Sequence, residues 1–248
     1  MITISEYQIT PFLAEGYSLP DPNMNNGTNW LREAINLMYN RNKERLKVAG
    51  VQTNLFHNHD EQNGQTISRY PLILYQKRKD RYFVVGINEG VRTLAELFTG
   101  LDRPIRITDG LQTDLELVSE VSWPGIPTGC EYHYKITDWL PLNRDNYKVY
   151  NQTGSIIEKV SLLENILHNQ IIKDFSNYLG LGFEKENSLV KITDIDSFTR
   201  SCVQLKVDKH IHDFKPFTIS FVSNLPLPHF ISLGNGKVYG FGLLEPAL

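Results

Sequence analysis

Two histidines stand one residue apart in Leu55-Phe56-His57-Asn58-His59-Asp60, and Arg69 and Tyr70 follow downstream. An imidazole with its ordinary pKa of about 6.5 can both take and give a proton near neutrality. Cleavage of an RNA phosphodiester by the neighbouring 2′-hydroxyl needs a base for that hydroxyl, an acid for the departing 5′-oxygen and a cation beside the phosphate. His57, His59, Tyr70 and Arg69 contain all of these groups, and none of them requires a metal. His57 leads as base or acid. His59 lies on the same side of an extended loop and is its alternative, and Tyr70 is a further proton donor. The competing reading makes one histidine a surface residue and the other a packing residue, with Tyr70, before Pro71 at a strand start, in the core.

A second constellation lies near the end of the chain. Gly234, Gly236, Gly240 and Gly242 bracket Lys237 and Tyr239 in Leu233-Gly-Asn-Gly-Lys-Val-Tyr-Gly-Phe-Gly. Glycines let a backbone approach a ligand closely, and successive free amides can form a concave phosphate site. The lysine adds charge and the tyrosine a stacking face. The bland alternative is a tight turn before a last strand. Arg41, Lys43, Arg45 and Lys47 crowd the end of a predicted helix just before the histidine loop. They are candidate phosphate clamps, or cations suited to the negative helix C-terminus. His210 and His212 share a strand face, but no third ligand lies near them in sequence, so they read as a solvated pair rather than a metal site. No metal and no cofactor is expected.

These residues need a scaffold. Met1–Gln8 alternates apolar and polar residues and predicts a strand. Trp30–Lys47 has helical spacing, Tyr70–Gln76 and Arg81–Ile87 read as a hairpin, Gly90–Phe98 as a short helix and Pro104–Ile107 as another strand. That order is β-α-β-β-α-β, the ferredoxin-like arrangement. A second round follows: strand Glu131–Trp139, a long amphipathic helix Ser155–Leu179, strands Leu189–Ile195, Cys202–His210 and Phe217–Val222, and a final strand after the glycine-rich loop, with the second helix short or missing. The fold class is therefore α+β, two tandem ferredoxin-like (RRM-like) domains over residues 1–125 and 126–248.

Net charge is −3 and the pI about 6.2, which excludes a surface coated in positive charge but not a local basic patch. Cys130 and Cys202 make neither a disulfide framework nor a zinc set, and read as small buried or half-buried residues. No run approaches the roughly 18 apolar residues of a membrane span. No charged-then-apolar leader is evident at Met1–Gln8, so a cytosolic protein is expected.

Four stretches occur in a telling order. They are the histidine loop with Arg69-Tyr70-Pro71-Leu72-Ile73-Leu74-Tyr75-Gln76-Lys77, then Val85-Gly86-Ile87-Asn88-Glu89-Gly90, then Trp139-Leu140-Pro141-Leu142-Asn143-Arg144, then the glycine-rich loop. Together they resemble the b-type branch of the CRISPR repeat-RNA processing endonucleases, the sixth Cas family, within the RAMP superfamily of RNA-binding proteins. The resemblance runs from about Leu46 to the end of the chain. It implies metal-independent cleavage of repeat RNA by 2′-hydroxyl attack, leaving a 2′,3′-cyclic phosphate and a 5′-hydroxyl, with His57 or His59 acting in cleavage. Arg69, Lys43, Arg45, Lys47 and the glycine-rich loop would contact RNA, and Lys237 is the foremost of these. The expected partner is CRISPR repeat RNA; other Cas proteins of an interference complex and a second copy of the chain are further candidates. The alternative is a non-catalytic RNA-binding subunit on the same fold.

Overall fold

The computed structural model describes residues 1–19, 24–51, 55–56, 69–126, 129–196, 202–207 and 210–247. The chain divides into two compact units, residues 2–123 and residues 124–248 with Met1.

The N-terminal unit begins with β1 (Ile2–Leu13), which buries Ile2, Ile4, Tyr7 and Ile9. Helix α1 (Asn29–Val48) buries Leu31, Ala34, Ile35, Met38 and Tyr39 at three- and four-residue spacing, the stripe that holds a helix on a sheet. β2 (Ile73–Arg78) and β3 (Arg81–Ile87) form a hairpin whose two-residue turn places Lys79 at φ 54°. Helix α2 (Glu89–Phe98) starts against the Leu72 carbonyl, which a Cβ on Gly90 would overlap. Glycine at position 90 is thus a packing requirement, and it explains one of the recurring stretches.

β4 (Ile105–Thr108) and β5 (Leu111–Trp123) complete a sheet of order β2-β3-β1-β5-β4. The sequence predicts the strand at β4 as the last of this domain, but the place beside β1 is taken by β5, which was not predicted. Two facts hid it. Its burial alternates only as far as Leu115, and Leu117, Val118 and Val121 are exposed. A bulge opposite Glu6/Tyr7 also breaks the two-residue period, since Glu6 pairs with Ser119 but Tyr7 with Leu117.

The C-terminal unit contains β6 (Tyr132–Trp139), α3 (Arg144–Gln152), α4 (Ile156–Ile171) continuing into a π-helical stretch (Ile172–Tyr178), β7 (Val190–Asp196), β8 (Val203–Val207), β9 (His210–Phe214), β10 (Phe217–Ser223), a 3-10 turn (Lys237–Tyr239) and β11 (Leu243–Pro246). Its main sheet has the order β11-β6-β10-β7, the 4-1-3-2 arrangement of a ferredoxin-like domain, and the 3-10 turn stands where the second helix would be. The single strand expected over Cys202–His210 is instead the first part of a separate two-stranded hairpin, β8–β9. Helix α3, also not predicted, is capped by the Asn143 side chain, which accepts from the amides of Asp145 and Asn146. Cys130 and Cys202 are free and exposed rather than buried. Among the described residues no helix is long and apolar enough to cross a membrane.

Candidate functional site

The glycine-rich segment closes the C-terminal unit as a pinned turn. Leu225 and Leu227 are buried, and both are held by the Tyr134 hydroxyl, which donates to the Leu225 carbonyl at 3.0 Å and accepts from the Leu227 amide at 2.8 Å. Burial pushes the Tyr134 pKa up to about 12, although the Leu227 amide pulls it down. The chain then turns back on itself: Phe230 N–H donates to Leu244 O, Leu244 N–H to Ile231 O and Leu233 N–H to Gly242 O. Gly234 to Phe241 is the loop between these paired arms.

Its floor is the end of β6. Asn235 donates to the Leu140 carbonyl through both its amide (3.0 Å) and its side chain (2.9 Å), and Gly242 N–H donates to Asp138 O at 3.0 Å. A Cβ on Gly234 would stand 2.9 Å from the Trp139 ring, and one on Gly242 would overlap the Leu233 carbonyl oxygen. Gly236 and Gly240, at φ 68° and 77°, flank the 3-10 turn. The Trp139-Leu140 stretch and the glycine-rich stretch, separate in sequence, therefore meet as one structural unit. Tyr239 packs with Phe214 against the cluster of Leu140, Val203, Leu205 and Phe241, so the β8–β9 hairpin leans on the loop.

The loop differs from the open phosphate cradle that glycine content suggests. The amides of Asn235, Tyr239, Gly240 and Gly242 are spent on carbonyls of the loop and of β6. Lys237 Nζ donates to Asp174 Oδ2 at 2.5 Å, with the two side chains 20% and 3% exposed. Burial raises the pKa of the Asp174 carboxyl and the neighbouring Lys237 opposes that rise. A carboxylate this deeply buried needs a partner, and Lys237 ties the loop to the π-helical stretch. Asp174 was not singled out from the sequence. Its signal was its place on the apolar stripe of the predicted helix, next to Phe175 and three residues beyond Ile171, where a charge requires a partner. Helical segments of π type recur at functional positions.

In the N-terminal unit, His57 and His59 lie outside the described residues. The residues at either edge of that stretch are placed. Phe56 is buried and stacks on Tyr39 of α1 at 4.7 Å, and Lys43 Nζ lies 5.9 Å from the Tyr39 ring. At the other edge Arg69 is half-buried and Tyr70 is 1% exposed, which favours the core role for Tyr70 over proton donation. Arg45 donates to the carbonyls of Glu96 and Leu97 at 2.9 and 3.2 Å, satisfying the last turn of α2. Lys47 pairs with Glu44 on the surface. Arg45, like Arg41, which donates to the carbonyls of Arg106 and Ile107, thus has a structural task. His210 and His212 sit 6.4 Å apart on β9, both exposed. Among the described residues no group of three or more His, Cys, Asp or Glu is placed to hold a metal ion.

The fold is shared with solved Cas6 structures. A crystal structure of Cas6b superposes with a TM-score of 0.65 at 18% identity, covering 99% of this chain and 100% of that one. A CRISPR RNA processing endoribonuclease Cas6b gives 0.57 at 17% identity with the same coverage. Csf5, a type IV Cas6 crRNA endonuclease, gives 0.56 at 13% identity, again over 99% and 100%. No curated protein matches in sequence. The Cas6b N-terminal domain model matches residues 44–119 and the Cas6b C-terminal domain model residues 128–247, so the chain belongs to the Cas6b family.

Proposed function

We propose that this protein is a metal-independent endoribonuclease that cuts CRISPR repeat RNA into guide units. The observation that carries the reading is the match of both halves to the Cas6b domains. Fold neighbours named as CRISPR RNA processing endonucleases agree with it. In the proposed reaction one imidazole of the His57/His59 pair takes the proton of the 2′-hydroxyl. The 2′-oxygen attacks the adjacent phosphorus, and the bond to the 5′-oxygen breaks. A second group, the other histidine, returns a proton to that oxygen. The products are a 2′,3′-cyclic phosphate and a 5′-hydroxyl. Arg69 and Lys43, at the two edges of the histidine stretch, are suited to the phosphate charge. In the C-terminal unit the pinned turn Gly234–Gly242 presents Tyr239 and the backbone around Gly236 to RNA.

The test is cleavage of labelled repeat RNA from the cognate array in EDTA, beside His57→Ala, His59→Ala and a substrate with a 2′-deoxy residue at the cut. Cutting that survives EDTA, and is lost with the deoxy substrate and with at least one histidine change, is expected. Tight binding without cutting by the unaltered protein would leave the alternative, an RNA-binding subunit. The resemblance to an RAMP protein that binds different RNA substrates (TM-score 0.51, 13% identity, 100% of both chains) is compatible with that role.

A further inference from the structure

The C-terminal unit carries a second cationic cluster, away from the glycine-rich loop in sequence and built from three elements. Lys159 of α4 places its ammonium 5.0 Å from the centre of the Tyr150 ring of α3, and Lys215, in the β9–β10 turn, places its own at 5.1 Å from the same ring. Lys215 also lies 5.5 Å from the Phe217 ring, which meets Tyr150 edge-on at 5.7 Å and is itself buried. Two ammoniums therefore lie against one aromatic ring.

Three facts make this placement unusual. Neither lysine forms an ion pair among the described residues, although the chain has more carboxylates (28) than lysines and arginines (25) and Glu158 adjoins Lys159. Helix α3 has no fully buried side chain, and its half-buried Tyr150 rests on Phe217. Like charges drawn together repel, and the attraction of the ring for cations only partly offsets this. An anion bound at either ammonium would complete the arrangement. On a protein of net charge −3 such a patch is a local site, not part of a general cationic field.

We infer that Lys159, Lys215 and Tyr150 form a sequence-independent contact for the RNA backbone, the ammoniums taking phosphate oxygens and the tyrosine supplying a stacking face. Aromatic and cationic side chains combined in this way are the usual means of holding single-stranded nucleic acid. The inference rests on the RNA-processing reading above.

The experiment measures binding of repeat RNA, 2′-deoxy at the cut so that it stays intact, over a salt series. Each of Lys159→Gln and Lys215→Gln should weaken binding about 3- to 5-fold and lower the slope of log K against log salt by about 0.7, and the double variant should lower it by about 1.4. A scrambled RNA should lose as much as the repeat, because phosphate contacts carry no sequence information. Arginine at both positions should restore the slope, which separates charge from mere packing. Lys191→Gln, an exposed lysine on β7, should leave the slope unchanged. A double glutamine variant that binds repeat RNA with an unaltered slope overturns this inference alone. Failure of the unaltered protein to retain repeat RNA overturns both it and the reading beneath it. An unaltered RNA slope together with lost retention of poly-glutamate would assign the cluster to an acidic polypeptide instead.

Discussion

Replacing Lys237 with methionine keeps the length and stem of the side chain and removes only the ammonium. Asp174, 3% exposed, is then left as a buried carboxylate without its 2.5 Å partner. Breaking a buried pair from one side costs about 3–5 kcal/mol. Lys237 keeps 20% exposure, so solvent already screens part of the interaction and a smaller penalty, about 2–4 kcal/mol, is expected at neutral pH. In urea unfolding followed by circular dichroism, that penalty lowers the midpoint by about 1–2 M. The pH dependence has a definite sign. Burial holds the pKa of Asp174 above its unfolded value, and Lys237 is the chief opponent of that rise. A carboxyl whose folded pKa is raised weakens the fold when ionised, so its penalty is present above the folded pKa and disappears as pH falls below the unfolded value of about 3.9. The Lys237→Met deficit should therefore be largest at neutral and alkaline pH and shrink on acidification. Asp174→Asn should be milder, about 1 kcal/mol, because the lysine can extend its head into water. The double variant Asp174→Leu with Lys237→Met should approach wild-type stability. A Lys237→Met deficit below about 1 kcal/mol that does not change with pH would refute the reasoning and reduce the pair to an ordinary surface bridge. If the double variant regains stability yet binds RNA poorly, Lys237 contacts RNA in addition to holding the loop.

Substitution of the acting histidine, His57 or His59, should lower the cleavage rate by about 10²- to 10⁴-fold with little change in RNA affinity, measured under single-turnover conditions. Gly242→Ala places a Cβ against the Leu233 carbonyl at φ 69° and should lower stability by at least about 2 kcal/mol in a thermal melt. Tyr134→Phe strands the buried Leu227 amide and Leu225 carbonyl and should lower stability by about 1–3 kcal/mol. In the unaltered protein, absorbance titration of the phenols should show a component ionising only near pH 12 that Tyr134→Phe removes.

Most of the scaffold was legible because it obeys simple periods. β1 begins with a plain apolar–polar alternation, β2, β3 and β10 are short apolar runs, and α1 and α4 carry stripes at helical spacing. β5 was lost where Val118 enters as an unpaired residue and moves the apolar set to the other face. The β8–β9 hairpin was lost because its pairing, Val203 with Phe214 through Val207 with His210, is a long-range fact that no local pattern reports. At the site, the glycines correctly marked a sharp, close-packed turn. What they could not show is that four of its amides, those of Asn235, Tyr239, Gly240 and Gly242, are already bonded to carbonyls, or that its lysine is answered by Asp174, distant in the chain. Charge partners across such separations are set by packing, and the only local trace was a lone carboxylate on an apolar stripe.

The pairing of strand ends has a consequence for how the protein is made. In the N-terminal unit Ile2 lies opposite Trp123, and in the C-terminal unit β6 is flanked by β11, the last strand of the chain. Each sheet is thus closed by the last strands of its unit against its first. At synthesis rates of about 5–20 residues per second, β1 leaves the ribosome seconds before the strand that covers its second edge exists. Until then its apolar residues Ile2, Ile4 and Ile9 lie on an open strand, the kind of edge that recruits other chains. Nascent chains stalled before residue 111 should therefore aggregate or call on a chaperone more than chains stalled just after residue 123, before β6 is made.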